Sequence, residues 1–135
     1  MSHFTKLRTR ITDADGLVKA LSDAGFKEVE TRETAQHLYG YQGDMRPQTA
    51  EVIVRRKYVG HASNDIGFKR QTDGTFEAII SGYDRRRYSQ KWLDRLTQRY
   101  AYHVARAKLA EQGFDLVTEE IQEGERIHLV LRRIM

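Results

Sequence analysis

The chain contains no cysteine, one proline and one tryptophan, and it has no long apolar run. The lack of cysteine excludes disulfide bonds, thiolate nucleophiles and cysteine-based zinc sites. It also favours a reducing compartment, because secreted proteins of this size commonly rely on disulfides. No window approaches the ~20 apolar residues of a membrane-spanning helix. The first residues also lack the apolar stretch of a signal peptide, so we predict a cytoplasmic protein, or a stromal one in a plastid, with no membrane partner.

Length and charge set the broad class of the protein. A chain of 135 residues is typical of one domain, and at this length about two-thirds of the unfolded surface can be buried. We therefore expect residues 1–135 to form a single α+β domain. The 23 basic and 19 acidic residues give a net charge of +4. Such a mixed surface permits binding to nucleic acid or to an acidic protein but requires neither.

Two segments have the apolar spacing of amphipathic helices. The first follows Thr12, which we expect to act as a hydroxyl N-cap, and ends before Gly25. The second begins at Ser89 and ends near Gln112. Its apolar and aromatic positions recur every three or four residues: Trp92, Leu93, Leu96, Tyr100, His103, Val104 and Ala107. The sequence thus predicts one short and one long helix.

The two helix ends share a sequence pattern. Residues 20–29 and 108–117 carry leucine, an acidic residue, glycine, phenylalanine and valine at identical offsets. One interpretation is that both helices end with the same glycine-based C-cap, and we favour it. The other is a duplicated helix–strand–strand unit.

Strand-like patterns fill the rest of the chain. Alternating or β-branched segments predict strands at 4–11, 27–31, 37–41, 51–58, 65–70, 75–80, 115–121 and 126–134. Asp73-Gly74 and Glu123-Gly124 indicate hairpin turns, and residues 42–48, with the proline, indicate a loop. Two helices among so many strands predict an α+β fold, a curved and mostly antiparallel sheet with two helices packed on one face.

No motif in the sequence specifies catalysis or metal binding. The histidines lack the spacing of a zinc protease, and no serine lies in a nucleophile elbow. The glycines are scattered, whereas a phosphate-binding loop needs clustered backbone amides that lead into a helix. We therefore predict no catalytic residue, no metal site and no cofactor. The sequence favours a protein that is not an enzyme, without excluding one.

Arginines near tyrosines could form a surface that contacts phosphates and stacks on bases. The candidates for phosphate or nucleic-acid contact are Arg55, Arg56, Arg85, Arg86 and Arg87. On a strand, however, adjacent arginines would point to opposite faces, so Arg55 and Arg56 should not share one patch. Solvated faces with ion pairs inside the molecule are the favoured alternative.

Several segments resemble one known family over essentially the whole chain. They are Met1-Ser2-His3-Phe4, Asp65-Ile66-Gly67-Phe68, the octet Leu96–His103, and Gly113–Val117 followed by Leu129–Arg133. They are similar to the hypothetical reading frame thirty-five family of plastids and cyanobacteria, a domain of unknown function. The resemblance transfers no activity, cofactor or catalytic residue. It implies an accessory or adaptor role, because bacterial relatives tend to lie near genes for AAA-type ATPases.

The octet supplies most of the candidate interaction residues, which are Arg95, Arg99, Tyr100, Tyr102 and His103. On a helix, Tyr100 and His103 can point at the sheet, while Arg99 and Tyr102 point to solvent or to a partner. Tyrosine and arginine are common anchors of protein interfaces.

Three functions stay open at this point. The first is a non-enzymatic adaptor that docks on a larger protein machine, with an AAA-type ATPase as the candidate. The second is a nucleic-acid-binding domain with a basic, tyrosine-rich surface. The third is a small enzyme acting on an anionic metabolite through Arg99, Tyr100 and His103. Pairing through an exposed edge strand would also permit a homodimer.

Overall fold

The structure, a computed structural model, describes residues 3–121 and 127–133, with side chains as far as Gly113. Within these residues the strands are β1 Phe4–Arg8, β2 Glu30–Tyr39, β3 Met45–Val54, β4 Ile66–Arg70, β5 Phe76–Ser81, β6 Phe114–Ile121 and β7 Ile127–Arg133. The helices are α1 Ala14–Asp23, α2 Arg56–Val59 and α3 Gln90–Glu111, and a 3-10 turn spans Asp84–Arg86.

Five strands form an open sheet in the order β1-β5-β4-β3-β2, in which every neighbouring pair is antiparallel. The first strand therefore lies at one edge, beside a strand about 75 residues further along the chain. β6 and β7 pair antiparallel in a separate two-stranded ribbon. The turn predicted between them at Glu123-Gly124 lies outside the described residues. The predicted fold, an antiparallel sheet with two helices on one face, is confirmed.

The ends of α1 follow capping chemistry. The cap is the Asp13 carboxylate, which accepts from the Gly16 amide at 2.9 Å, and not the predicted Thr12 hydroxyl. At the other end Gly25 takes a φ of +102°, and its amide donates to Ser22 O at 3.0 Å. Phe26 N then donates to Leu21 O, which completes a Schellman motif.

The same cap ends the long helix, as the repeated pattern predicted. Gly113 has a φ of +85°, and its amide donates to Ala110 O at 3.1 Å. Each helix is also followed by an antiparallel strand pair, β2–β3 after α1 and β6–β7 after α3. The shared C-cap is therefore confirmed, and the duplicated helix–strand–strand unit remains compatible with the topology.

The main core lies between the sheet and the two long helices. One face of the sheet contributes buried Val52, Val54, Ile66, Phe68, Phe76, Ala78 and Ile80, and the helices contribute Leu17, Ala20, Leu21, Leu93, Leu96 and Tyr100. Gly16 lets the helices approach closely, because a Cβ there would lie 3.0 Å from both Tyr100 and Val104. Burial of this apolar surface holds both helices on the sheet.

The second face of the sheet is covered by the chain itself. The outer half of the β2–β3 hairpin bends across it, and register shifts accompany the bend. Leu38 and Ala50 pack with Ile53 and Ile79 in a second buried cluster, directly over Gly67. Further out, the Arg46 guanidinium lies 5.2 Å from the ring centroid of Phe4 on β1. The hairpin therefore reaches from one edge of the sheet to the other.

This hairpin departs from the sequence prediction in two ways. Residues 27–31 and 37–41 were expected as separate strands, but one long strand, β2, includes residues 30–31 of the first and 37–39 of the second. Pro47 was placed in a loop, but it lies in β3. There it falls within the second register shift, between the pairs His37–Thr49 and Tyr39–Met45, where a residue without an amide hydrogen is tolerated.

Candidate functional site

A groove of about 610 Å³ runs between α1 and α3. Its lining residues are Ala20, Asp23, Ala24, Trp92, Arg95, Leu96 and Arg99, which we call the α1–α3 groove. The two alanines are small, so the end of α1 leaves open space beside α3. The Trp92 ring is fixed by edge-on contacts with Tyr88 and Phe26, whose centroids lie 5.0 and 6.2 Å away. The groove thus has an apolar floor with charged groups beside it.

Asp23 binds two cationic or polar side chains of α3 beside this groove. Its Oδ2 accepts from Nε of Arg99 at 2.8 Å and lies 2.8 Å from Nη2 of the same guanidinium. Nε2 of His103 lies 2.5 Å from this oxygen. Because an ionised carboxylate only accepts hydrogen bonds, the imidazole donates from Nε2. The last turn of α1 and the middle of α3 are therefore joined by one carboxylate.

The electrostatics of Asp23 reflect these partners. Partial burial by itself would raise the pKa of the Asp23 carboxyl, but the hydrogen bonds and charges of His103 and Arg99 outweigh it and lower the pKa below its ordinary value. Asp23 therefore stays ionised at neutral pH. The sequence reasoning missed this residue, because its partners lie on a helix that is distant in the sequence.

The structure corrects the predicted orientation of Tyr102. Its side chain was expected to face solvent or a partner, but it is only 6% exposed. The Arg99 guanidinium lies 4.4 Å from its ring centroid, and Nη1 of Arg106 donates to its hydroxyl at 3.1 Å. The two arginine side chains thus contact the ring and the hydroxyl, and Tyr102 is a buried residue of the fold.

Tyr100 points at the fold, as predicted, but it does not join Asp23. Its hydroxyl accepts from the amides of Thr12 and Asp13, both at 3.0 Å, at the start of α1. Asp23 lies ten residues further along, about 15 Å away at ~1.5 Å per helical residue. The predicted trio of Arg99, Tyr100 and His103 is therefore split, and Asp23 takes the place of Tyr100 beside the other two.

A second cavity, of about 540 Å³, lies where β2 ends and β3 passes into α2. Its lining residues are Tyr39, Gly43, Arg55, Arg56, Lys57 and Asp65, which we call the Arg56 cavity. The sequence reasoning placed Arg55 and Arg56 on opposite faces of one strand, and this is wrong. β3 ends at Val54 and the chain turns into α2, so both side chains line the same cavity.

The buried Asp65 organises this cavity. It is 1% exposed and accepts three hydrogen bonds: from the amides of Tyr39 at 2.7 Å and Arg56 at 2.6 Å, and from Nη1 of Arg55 at 2.8 Å. Arg55 also pairs with Glu30, its Nη2 lying 2.6 Å from Oε2. Partial burial alone would lower the pKa of the Arg55 guanidinium, but its bonds to Glu30 and Asp65 raise it above the ordinary value. Arg55 is thus a permanently charged structural group.

The neighbouring loop is fixed by a buried polar network. Oδ2 of Asp84 accepts from the amide of Asn64 at 2.9 Å and from the Ser81 hydroxyl at 2.7 Å. Asn64 in turn accepts from the amide of Tyr41 at 2.9 Å through its Oδ1. Asn64, Ser81 and Asp84 are all at most 4% exposed. The network therefore holds the wall of the Arg56 cavity rigidly.

The remaining candidates, Arg85, Arg86 and Arg87, line neither cavity. They lie in and directly after the 3-10 turn. Arg86 and Arg87 are exposed, and the Arg87 guanidinium lies 5.5 Å from the Tyr88 ring centroid. Their assignment to phosphate or nucleic-acid contact stays a prediction.

Neither metal binding nor a membrane-spanning helix is indicated in the described part of the chain. Among these residues, no three histidine or acidic side chains lie together as a metal ion would require. No helix of the same residues is long and apolar enough to cross a bilayer.

Comparison with known proteins gives the family. The family model described as "Protein of unknown function (DUF1257)" matches residues 20–130, which is most of the chain. The chain belongs to this family. The chain is similar to proteins named "Uncharacterized protein ycf35" from three organisms. The identity is 28% for Cyanophora paradoxa, 28% for Pyropia yezoensis and 27% for Guillardia theta. In each comparison 98% of this chain and 98% of the relative are covered. No solved structure matches.

The octet that carried the resemblance to the DUF1257 family has a clear place in the fold. Residues Leu96–His103 lie in α3, and part of this segment contacts α1. They supply Leu96 and Arg99 to the groove, His103 to Asp23, and Tyr100 to the start of α1. The most recognisable segment of this DUF1257 member thus builds the junction of its two long helices.

Proposed function

We propose that the protein is a non-enzymatic accessory subunit that docks on a larger protein machine through the α1–α3 groove. The observation that supports this most is the groove itself, an apolar floor of Ala20, Ala24 and Leu96 beside the charged groups of Arg95 and Arg99. Its seven lining residues include two cations and one anion, which favours an acidic partner segment. We expect the complex to form in the cytoplasm.

The expected partner segment carries an apolar side chain next to a carboxylate. The apolar group would displace water from the space beside Trp92, and the carboxylate would face the guanidinium groups. Asp23 and His103 hold Arg99 in place beforehand, so little side-chain entropy is lost when the partner binds. An AAA-type ATPase is the first partner to test, following the resemblance stated above.

The test is to fill the groove without changing the core. Ala24 lines the groove and is exposed at the end of α1, so Ala24→Trp should block docking. Ser22 is also exposed on α1 but does not line the groove, which makes Ser22→Trp the matched control. Each tagged variant is purified from the native host, and stoichiometric co-purifying proteins are quantified. Loss with Ala24→Trp alone supports docking, and equal binding by both variants contradicts it. Substrate turnover by the isolated protein would contradict the non-enzymatic assignment.

A small enzyme acting on an anionic metabolite is the second candidate, and the contact between His103 and Asp23 favours it. A carboxylate that holds one imidazole nitrogen leaves the other free to act as a base. Arg99 would then attract the anion. We would assay phosphorylated metabolites with wild type and His103→Ala. Turnover that His103→Ala leaves intact would remove this mechanism.

A further inference from the structure

The Arg56 cavity has a charge and shape that the proposed docking groove does not explain. Arg55, the most internal of its three cations, is already paired with Glu30 and Asp65. The next two residues, Arg56 and Lys57, have different partners. Nη1 of Arg56 donates to the Tyr41 carbonyl at 2.9 Å, and the Lys57 ammonium lies 4.9 Å from the Tyr58 ring centroid. Among residues 3–113, no carboxylate lies within ion-pair distance of either group, so the mouth of the cavity is positive.

An exposed aromatic ring, Tyr39, lines the cavity beside these cations, and a second exposed tyrosine follows two residues later. Tyr39 lines the cavity and is 37% exposed, and Tyr41, whose carbonyl binds Arg56, is 38% exposed. The Arg55 guanidinium lies 5.6 Å from the ring centroid of Tyr39. An exposed aromatic ring beside cations is the combination that base-stacking, phosphate-binding surfaces use.

The backbone around the cavity is held in place before any ligand arrives. Asp65 fixes the amides of Tyr39 and Arg56, and Asn64 fixes the amide of Tyr41. Gly43, with a φ of +79°, forms part of the wall without a side chain. A ligand therefore meets aromatic and cationic groups in fixed positions, which lowers the entropy cost of binding.

We propose that the Arg56 cavity binds a nucleotide, with the phosphate held by Arg56 and Lys57 and the base against the Tyr39 ring. Phosphate is the anion that arginine and lysine recognise together, and a planar base adds stacking on an aromatic ring. The volume of about 540 Å³ lies in the range of small-molecule sites, roughly 300–1,000 Å³. A free mononucleotide and a nucleotide within a single strand offer the same chemistry.

Three probes test the ligand class: a fluorescein-labelled ten-nucleotide mixed-sequence RNA, AMP as its competitor, and a labelled ten-residue polyglutamate. RNA binding measured by anisotropy should weaken with salt, by a slope of about −0.7 per phosphate contacted. Displacement of the RNA by millimolar AMP identifies a mononucleotide site, and RNA binding that AMP does not displace identifies a strand site. Polyglutamate binding as tight as RNA binding would contradict the proposal, because the cavity would then accept protein carboxylates.

Matched variants locate the binding. Arg56→Gln should weaken RNA binding at least ten-fold and reduce the salt slope by about 0.7. Arg10→Gln, which removes the same charge from an exposed site outside the cavity, should leave both unchanged. Tyr39→Leu should weaken binding about five- to hundred-fold, and Tyr83→Leu, at a tyrosine 50% exposed outside the cavity, should not.

Lys57→Gln provides the test if Arg56→Gln fails to fold, since the exposed Lys57 side chain belongs to no core cluster. It should weaken RNA binding several-fold. Equal losses from Lys57→Gln and Arg10→Gln, or no RNA or AMP binding at low salt, would overturn the proposal.

Discussion

Asp65→Asn should be among the most destabilising single-atom changes in this protein. The carboxylate is 1% exposed and uses both oxygens, Oδ1 for the Arg56 amide and Oδ2 for the Tyr39 amide and Arg55. An asparagine has one acceptor oxygen, so its NH₂ group must face a donor on one side. The loss of a charge-assisted hydrogen bond and the creation of an orphaned amide together cost about 3–5 kcal/mol.

Urea unfolding followed by circular dichroism at pH 7 measures this cost. With a slope of about 1–3 kcal/mol per molar, the midpoint should fall by roughly 2 M. The control is Asp73→Asn in the exposed β4–β5 turn. There a single oxygen, Oδ1, accepts both bonds from Thr75, and an asparagine keeps it. The control should leave the midpoint unchanged, and equal midpoints for the two variants would refute the role given to Asp65.

Three further predictions concern packing and pH. Gly67→Ala should lower the free energy of unfolding by about 1–3 kcal/mol in a thermal unfolding experiment. The new Cβ would lie 2.8 Å from the Cβ of Ala50 and 2.9 Å from a Leu38 methyl group. An unchanged melting temperature would contradict this packing. Tyr100→Phe should cost about 1–3 kcal/mol in urea unfolding, because two amides lose their acceptor; a neutral result would mean that water replaces the hydroxyl. The pKa of Asp23 is lower in the folded protein than its ordinary value of 3.8. The ionised carboxylate therefore stabilises the fold at pH values above 3.8, and this stabilisation is lost as the pH falls through the pKa of the folded state. Asp23 is 35% exposed, so Asp23→Asn should lower the free energy of unfolding by about 0.2–1 kcal/mol at pH 7. The urea midpoints of the variant and the wild type should converge in acid. A difference in midpoint that persists in acid would contradict the ion pairs.

Sequence patterns predicted the local structure well where one short signal decides it. The glycines after α1 and α3 have the expected positive φ, the Asp73-Gly74 hairpin turn lies where the pattern placed it, and the long helix begins directly after Ser89 as its spacing predicted. The β2–β3 hairpin was harder. Its bend over the second face depends on contacts of Leu38 and Ala50 with Gly67, and no local pattern encodes contacts between distant strands.

The candidate sites show the same division. The sequence identified Arg99 and His103, and Arg55 and Arg56, as residue types suited to binding. It could not show that Asp23 joins the first pair, since Arg99 lies 76 residues away. It also placed Arg55 and Arg56 on opposite faces, because a two-residue alternation assumes that the strand continues. The strand was predicted to reach residue 58 but ends at Val54, which reverses that conclusion.

The position of β1 determines when this strand can pair during synthesis. Thr5 bonds to Ile80 across a sequence separation of 75 residues, and β1 has no other strand partner in the described sheet. Ribosomes add roughly 5–20 residues per second, so β1 waits ~4–15 s for its neighbour. β2, β3 and β4 are all synthesised before β5 and can pair with one another in that interval. We therefore expect the amino-terminal strand to join last, onto a sheet whose other strands are already paired.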